Sequence, residues 1–515
     1  LKHILLKLFI SSVPGPSAVN IMMRRGCWYM FLIIGLLRLG GSSPIELTIN
    51  NKQLWTISPQ LSSMSLVYAW APDRIYQNET TVAYAKSHRV ATARYPAGMA
   101  SYWNWENPTG IMGQSSLDPN WKGPSAPAKD WMSMGEYLEF CRAASIAPLI
   151  GVNYNCHHNE YAPPLNESVA RAVRQVQFVV AEGFKGATYY IGNEDNAPGN
   201  AQRWKAHAEA MKAVDPTMKI FFNSNGLRPR GLKQFLEQVG NVVDGAEFHG
   251  KWPYGGKPDL PAFTYDQWLN EVPLVDHKVN LTWRETISDL RQAAKEAGRP
   301  DLLLANNEYG LGTPNRLTGF NRYTKSLVVV EFAMEMYVGG YDSGVFWDNH
   351  DGGSRDHADQ MLMDTSADYR MNPMHWGFEL LARSTNTSML ELQSGAKRVH
   401  GFASIDEAAN TFQVLVMNKY ETSQQVRISV PPGLPNLSRA ESMVDTLDHW
   451  GTVSTAEINC GRRYLNGDTP CEVSLPPLSL TVLTSNVTAT SARQDFIPEL
   501  LDSNRSAVDT VHTGA

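Results

Sequence analysis

Between residues 61 and 386, eight short apolar runs alternate with eight helix-forming segments, and this alternation restricts the chain more than any other feature. The runs fall at residues 61–70, 91–98, 147–155, 187–195, 219–223, 245–250, 302–308 and 343–348. They are rich in β-branched and aromatic residues, and Gly, Pro or Asn closes most of them, as in buried strands. Helix-forming segments separate them at residues 79–90, 134–144, 168–182, 201–214, 232–239, 283–297, 323–337 and 375–383. A helix after every strand returns the chain across the sheet, so neighbouring strands run parallel. Eight such units predict an α/β fold, a (β/α)8 TIM barrel over residues 61–386.

From residue 387 the pattern changes. Residues 401–403, 411–417, 425–430 and 479–484 are short alternating runs between turn signals, with no long helix among them. They predict a C-terminal antiparallel β-sandwich over residues 387–488. Residues 44–60 supply an N-terminal strand to that sandwich; its alternation at 45–49 reads as an exposed edge. The polar tail 489–515 has the composition of a disordered segment. It lacks the apolar run of a lipid-anchor signal.

The amino end reads as targeting. Met22-Met23-Arg24-Arg25 is a basic start, residues 27–37 are apolar, and Gly40-Gly41-Ser42-Ser43 offers small residues for cleavage. Residues 1–43 are therefore expected to hold a signal peptide and an upstream segment. The alternative, a single-pass anchor, needs a longer run. Seven Asn-x-Ser/Thr sequons, at Asn78, Asn166, Asn280, Asn386, Asn436, Asn486 and Asn504, fit a secreted glycoprotein. Of five cysteines, Cys27 falls in the signal. The other four allow three connectivities, with Cys141–Cys156 and Cys460–Cys471 the expected pairs. A net charge of −6 argues against a nucleic-acid partner. No run is long enough for a membrane partner once the signal is cleaved. The sequence leaves the oligomeric state open.

Two carboxylates stand where chemistry is expected. Residues 187–195 read Ala-Thr-Tyr-Tyr-Ile-Gly-Asn-Glu-Asp, a strand that Gly192 breaks just before Asn193 and Glu194. Residues 302–310 repeat the device and end in Asn306-Asn307-Glu308-Tyr309-Gly310. In a TIM barrel the loops after the strands converge on the active face. Two carboxyl groups meeting there, about 5–5.5 Å apart, are what retaining cleavage of a glycosidic bond requires. Either Glu alone reads as a surface loop residue; the pair on strands four and seven points to function. The Pro- and Gly-rich stretch 102–131 carries Trp103, Trp105, Trp121 and Trp131. Long loops in compact domains are usually functional. Exposed Trp faces stack on sugars, and the competing reading packs these rings into the loop's own core. Asp348-Asn349-His350-Asp351 is read as a loop contacting sugar hydroxyls rather than as a metal site. No Cys-x-x-Cys or His-Glu-x-x-His occurs, and neither a metal nor a cofactor is expected.

On these residues the chain resembles the retaining glycoside hydrolases of clan A. Gly192-Asn193-Glu194 matches the clan's acid/base motif, and the two Glu lie 114 residues apart (308 − 194), a usual spacing there. Arg94-Tyr95-Pro96-Ala97-Gly98 is similar to the Arg-x-Pro-Gly-Gly turn of the arabinofuranosidase-like family 51, with Ala97 in place of one Gly. Asn306-Asn307-Glu308-Tyr309-Gly310 departs from that family's Thr-Glu-Trp-like nucleophile motif. A C-terminal sandwich with an early amino-terminal strand is similar to families 51, 39, 30 and 79. The resemblance covers about residues 61–487.

The resemblance implies roles. Glu194 is the general acid and then base, with its pKa raised by apolar surroundings or a nearby carboxylate. Glu308 is the nucleophile, kept ionised beside Arg94. Asn193 binds the sugar 2-hydroxyl, His249 and Tyr309 bond to the nucleophile, and Trp347 floors the innermost subsite. Asn155, Trp103 and Trp105 complete the expected substrate-binding set. Arg94 as a structural ion pair and His249 as a satisfied, non-catalytic histidine remain alternatives. The expected partner is a polysaccharide or oligosaccharide substrate. The leading reading is a secreted retaining glycosidase acting on plant or algal wall polysaccharide, arabinofuranosidase-like or endo-glycanase/agarase-like. The competing reading is a catalytically silent, glycan-binding matrix glycoprotein of the same fold.

Overall fold

The computed structural model describes residues 43–66, 79–101, 103, 105–106, 132–154, 164–194, 197–223, 228–253, 261–312, 317–347, 360–364, 367, 370–458, 460 and 471–485. The signal, Asn155, Cys156, Trp121, Trp131, residues 348–351 and the tail lie outside them. Among the described residues, no helix is long and apolar enough to cross a membrane.

Eight parallel strands form the barrel: Ser63–Ser65, Thr92–Tyr95, Ala147–Val152, Thr188–Ile191, Lys219–Asn223, Gly245–Phe248, Leu303–Gly312 and Ser343–Phe346. The eighth closes on the first through Val345 opposite Ser63 and Phe346 opposite Met64. The helices between them are Glu79–Ser87, Met134–Ala144, Leu165–Ala181, Ala197–Val214, Pro229–Val239, Trp283–Glu296 and Arg322–Gly339, and Met374–Ala382 follows the eighth strand. Ser133 with Glu136 and Thr282 with Glu285 cap two of them by reciprocal bonds.

Strand alternation divides each strand's side chains between two cores. Ala93, Tyr95, Ile150, Val152, Tyr189, Ile191, Ile220 and Phe222 pack outward beneath the helices. Inside, Leu149, Tyr190, Phe221, Ala305 and Val345 form a small apolar plug. Gly151 belongs to that plug by necessity: a Cβ there meets Ala100 Cβ at 2.7 Å and the Tyr190 hydroxyl at 2.8 Å. Above the plug the interior turns polar.

The second domain is one nine-stranded sheet with Thr452–Glu457, Leu437–Val444, Ser479–Ser485, Thr411–Asn418, Val399–Asp406, Ser388–Ser394, Ile45–Thr56, Gln424–Ser429 and Cys471–Leu475 in that order. It is mostly antiparallel and curled, as in a β-sandwich. Its exception is Ile45–Thr56, which runs parallel to Gln424–Ser429. This strand lies between two partners, so the expected edge assignment for residues 45–49 is corrected: both sets of backbone groups are paired. Cys460 and Cys471 are bridged. Cys141 is a free thiol on the buried face of helix Met134–Ala144, which corrects the expected Cys141–Cys156 pair. That helix's apolar face uses the thiol as a small core side chain.

The two domains share a buried face. Helix Arg322–Gly339 is buried on nearly every side because the barrel covers one face and the sheet another. Phe402, Leu415, Met417, Met443, Leu480 and Val482 of the sheet join the barrel's outer core. Within that face, Lys419 Nζ donates to Glu331 Oε1 at 2.9 Å, with both side chains fully buried. The Trp268 indole donates to Glu331 Oε2 at 2.6 Å, and His400 Nε2 lies 3.2 Å from Oε1.

Candidate active site

Six strand ends bring polar side chains together above the plug. Arg94 enters from the second strand, fully buried, with its guanidinium 4.2 Å above the centre of the Tyr190 ring. It donates to Glu308 Oε1 at 2.7 Å, to Asn193 Oδ1 at 3.0 Å and to Glu247 Oε1 at 3.3 Å. A guanidinium has donors only and stays charged, so it collects carboxylates and amide oxygens.

The turn after that strand carries Ala97 at φ 56 and then Gly98. A Cβ on Gly98 meets Trp347 Cη2 at 3.1 Å and Glu308 Oε1 at 3.6 Å. The turn therefore lies directly against the Glu308 carboxylate and the Trp347 ring, and its small residue keeps the space between them open. Ala97, where the similar motif has Gly, holds the left-handed backbone that favours glycine.

The fourth strand ends in Gly192 at φ 77, Asn193, and Glu194 at φ 57. Two side chains fix this turn. Asn193 N–H donates to Ser101 Oγ at 2.9 Å, and Glu194 N–H donates to Asn223 Oδ1. The Glu194 carboxylate then faces the cleft, 39 % exposed against 6 % for Glu308. His249 joins them: its Nδ1 is 3.0 Å from Glu194 Oε1 and 3.2 Å from Glu308 Oε2. The carboxylate oxygens facing it lie within 4.8 Å of each other.

A β-bulge presents Glu308. Against the eighth strand, Asn306 pairs with Gly344 and Tyr309 with Phe346, so the seventh strand carries one extra residue between. Strict alternation sends 303, 305 and 307 inward and 308 outward. The bulge turns both Asn307 and Glu308 inward and returns Tyr309 to the outside. Tyr309 is buried against Phe332, Phe346 and Phe378. The expected bond from Tyr309 to the nucleophile is thus corrected, because its ring belongs to the core beneath the helices.

Two other expected contacts are absent for a similar reason. Trp103 is 1 % exposed and packs edge-on against Tyr95 at 5.0 Å. Trp105 donates from its indole to Arg171 O at 3.2 Å and leans on Phe178 of an outer helix. Both are packing residues of the loop. Trp347 does reach the site, partly exposed, with Lys251 Nζ 4.8 Å from its ring centre.

Sequence reasoning missed Glu247, Asn223 and Lys251. Glu247 is fully buried and accepts from Arg94, from Asn223 Nδ2 and from Asn307 Nδ2. Lys251 follows His249 by two residues on a short strand, Lys251–Pro253, which pairs with the end of the seventh strand, and its Nζ is 4.0 Å from Glu308 Oε2. The one usable signal was alternation: in residues 245–250, positions 245, 247 and 249 share a face, so Glu247 points where His249 points.

The electrostatics correct one more expectation. Glu194 is not raised in pKa. The hydrogen bond from His249 and the charge of that ring, aided by Lys251 and Arg94, outweigh partial burial and hold it at about 2. Glu194, His249 and Glu308 also form a donor set of the kind that holds a divalent ion. Arg94 and Lys251 already supply positive charge beside Glu308, which such an ion has to compete with.

Comparison with known proteins agrees with the barrel fold that carries this site. Residues 89–250 match the family model described as the alpha-L-arabinofuranosidase 1 domain. No curated protein matches the sequence directly. A solved arabinofuranosidase superposes with a TM-score of 0.65 at 16% identity, covering 86% of this chain and 100% of that one. An alpha-L-arabinofuranosidase from Thermotoga maritima, in complex with arabinose, gives 0.63 at 15% identity with the same coverage. A family 44 xyloglucanase from Paenibacillus polymyxa gives 0.55 at 13% identity, again covering 86% and 100%. At these identities the structures speak for the fold. By family model over residues 89–250 and by fold over most of its length, the chain resembles the clan A glycoside hydrolases, and its barrel is of the arabinofuranosidase-like kind.

Proposed function

We propose that the protein is a secreted retaining glycoside hydrolase that cleaves O-glycosidic bonds in plant or algal wall polysaccharide. The observation that carries this reading is the pairing of Glu194 and Glu308 at the ends of strands four and seven. Their nearest oxygens lie within 4.8 Å of each other, and both face one histidine nitrogen. That closeness fits a carboxylate attacking the sugar directly; an inverting pair stands about 6.5–9.5 Å apart to admit water.

In the first step a Glu308 oxygen bonds to the anomeric carbon while the bond to the leaving oxygen breaks. Glu194 gives its proton to that oxygen. In the second step Glu194 takes a proton from water, the water oxygen bonds to the anomeric carbon, and Glu308 is released. Arg94 holds Glu308 in line, and Asn193, itself bonded to Arg94, is set to bind the 2-hydroxyl. Trp347 supplies an apolar floor. The unliganded site holds Glu194 ionised, so a bound sugar has to raise its pKa by excluding water before the first step.

An arabinofuranosyl or related wall sugar is the favoured substrate, supported by the family model and by the names of the similar structures. Secretion is supported by the signal-like amino end, the sequons and the Cys460–Cys471 bridge. The test is to incubate the protein with a 2-deoxy-2-fluoro arabinofuranoside carrying a good leaving group, then map the adduct by peptide mass. A label on Glu308 is expected. Turnover of a wall polysaccharide without any label on Glu308 overturns the mechanism. Glycan binding without turnover favours the silent matrix glycoprotein.

A further inference from the structure

Asn223 closes the fifth strand, is fully buried, and touches three parts of the site. Its Oδ1 accepts the Glu194 backbone N–H. Its Nδ2 donates to Glu247 Oε1 and lies 2.9 Å from His249 Nε2. The reversed amide sets oxygen against the Glu247 carboxylate and NH2 against the Glu194 N–H, two repulsions at once. The neighbours thus fix the amide, and Nδ2 is what faces the ring. The other group at Nε2 is Arg94 Nη2, a donor, at 3.4 Å. Nε2 meets donors and has to present its lone pair. The ring proton therefore sits on Nδ1, between Glu194 Oε1 at 3.0 Å and Glu308 Oε2 at 3.2 Å.

We propose that Asn223 is a positioning residue that locks His249 as the Nδ1–H tautomer, so that one N–H serves Glu194 and Glu308 in turn. This rests on the double-displacement reading. One proton makes one full-strength bond, so the two carboxylates compete for it. While Glu308 is a free carboxylate it competes for the N–H, so Glu194 holds less than a full bond and is freer to carry the proton of the first step. Once Glu308 is esterified its charge is gone, and the N–H turns to Glu194, which has to be ionised to act as base. The N–H bond never breaks; the protons of the cycle move through Glu194 alone. Lys251 beside Glu308 and Glu247 behind Asn223 are the other charges facing the ring system.

The test uses the full-length protein with 15N-labelled histidine rings, His249 being assigned by its loss in His249→Asn. At a pH where the ring is neutral, the expected tautomer carries the proton on Nδ1 and the lone pair on Nε2. In Asn223→Asp, Nε2 gains a proton; Asn223→Ser, which removes the amide donor with little new charge, serves if the first variant does not fold. The deglycosylation step is expected to slow by about tenfold more than glycosylation, roughly one hydrogen bond's worth. His249→Asn, whose amide reaches the Nδ1 position, should retain more activity than His249→Gln. An Nε2–H tautomer of the neutral ring in the unaltered protein overturns the proposal. So does an unchanged tautomer and step ratio in both Asn223 variants. The tautomer reading needs no turnover, so its failure is distinct from a failure to trap Glu308.

Discussion

Two of the places where the molecule buries carboxylates satisfy them in opposite ways. At the domain interface one carboxylate, Glu331, receives Lys419, the Trp268 indole and His400. Donors outnumber acceptors. Burial alone raises the pKa of Glu331, but Lys419 and His400 outweigh it and hold the group below its ordinary value. At the barrel mouth Glu247 is satisfied by Arg94, Asn223 and Asn307, but Glu194 and Glu308 share one imidazole N–H, with Arg94 on one Glu308 oxygen and Lys251 4.0 Å from the other. Acceptors outnumber donors. A surplus of donors locks two surfaces together. A surplus of acceptors leaves carboxylate oxygens able to take a substrate proton or an electrophilic carbon. The difference separates structural burial of charge from burial that serves chemistry.

The sharpest way to break the comparison is to remove one carboxylate from the surplus. Glu308→Ala is expected to lower turnover by about 10⁴–10⁶-fold, as loss of a nucleophile does. Its thermal midpoint should stay close to that of the unaltered protein, because Glu247 still pairs with Arg94. A large loss of stability makes Glu308 a structural partner like Glu331. Glu194→Ala should lose about 10²–10⁴-fold on natural polysaccharide, the worth of a general acid and base. Aryl glycosides that need no protonation should still glycosylate Glu308, and azide should restore release as a glycosyl azide with the substrate's anomeric configuration. Full activity of Glu194→Ala on polysaccharide removes Glu194 from the mechanism.

The interface answers with the reverse profile. Lys419→Met leaves Glu331 buried without its main cation, at a cost of about 3–5 kcal/mol in chemical denaturation. The activity of the folded fraction should be unchanged. The cost should shrink as pH falls, since a protonated Glu331 no longer buries a charge. A loss of kcat matching that of Glu308→Ala, with stability retained, makes the two networks one.

Sequence legibility follows the same division. Alternating strands and helices have long periods, so the barrel, the two Glu on strands four and seven, and Arg94 and His249 were readable. The bulge at 306–309 is a single extra residue in a polar run. No periodic signal marks it, and without it Glu308 points outward and Tyr309 inward. Glu247 sits in the short run Gly245-Ala246-Glu247-Phe248, where one acid among small residues does not announce burial. Trp103 and Trp105 were indistinguishable from stacking residues, because a ring that packs on a strand or helix is the same in sequence as one that holds a sugar. The edge assignment of residues 45–49 failed because strand order in a sheet is set by distant pairings that local alternation does not encode.

The smallest expected effect sharpens the comparison by pH. The Glu194 carboxyl is held at about 2 against an ordinary 4.5, chiefly by the His249 hydrogen bond. A depressed pKa in the folded state means that folding favours the ionised form. That contribution is complete above the unfolded value and is lost as pH falls from about 4.5 toward 2. Because the side chain is 39 % exposed, solvent screens much of it, and the stability at stake is well below that of the Lys419–Glu331 pair. Glu194→Gln should therefore flatten the acid limb of stability only slightly in that window and leave it unchanged above pH 5. His249→Phe should produce the same flattening, since it removes the donor rather than the acid. An acid limb identical in all three proteins means that His249 does not hold the Glu194 carboxylate in solution, and the shared N–H at the barrel mouth has to be given up.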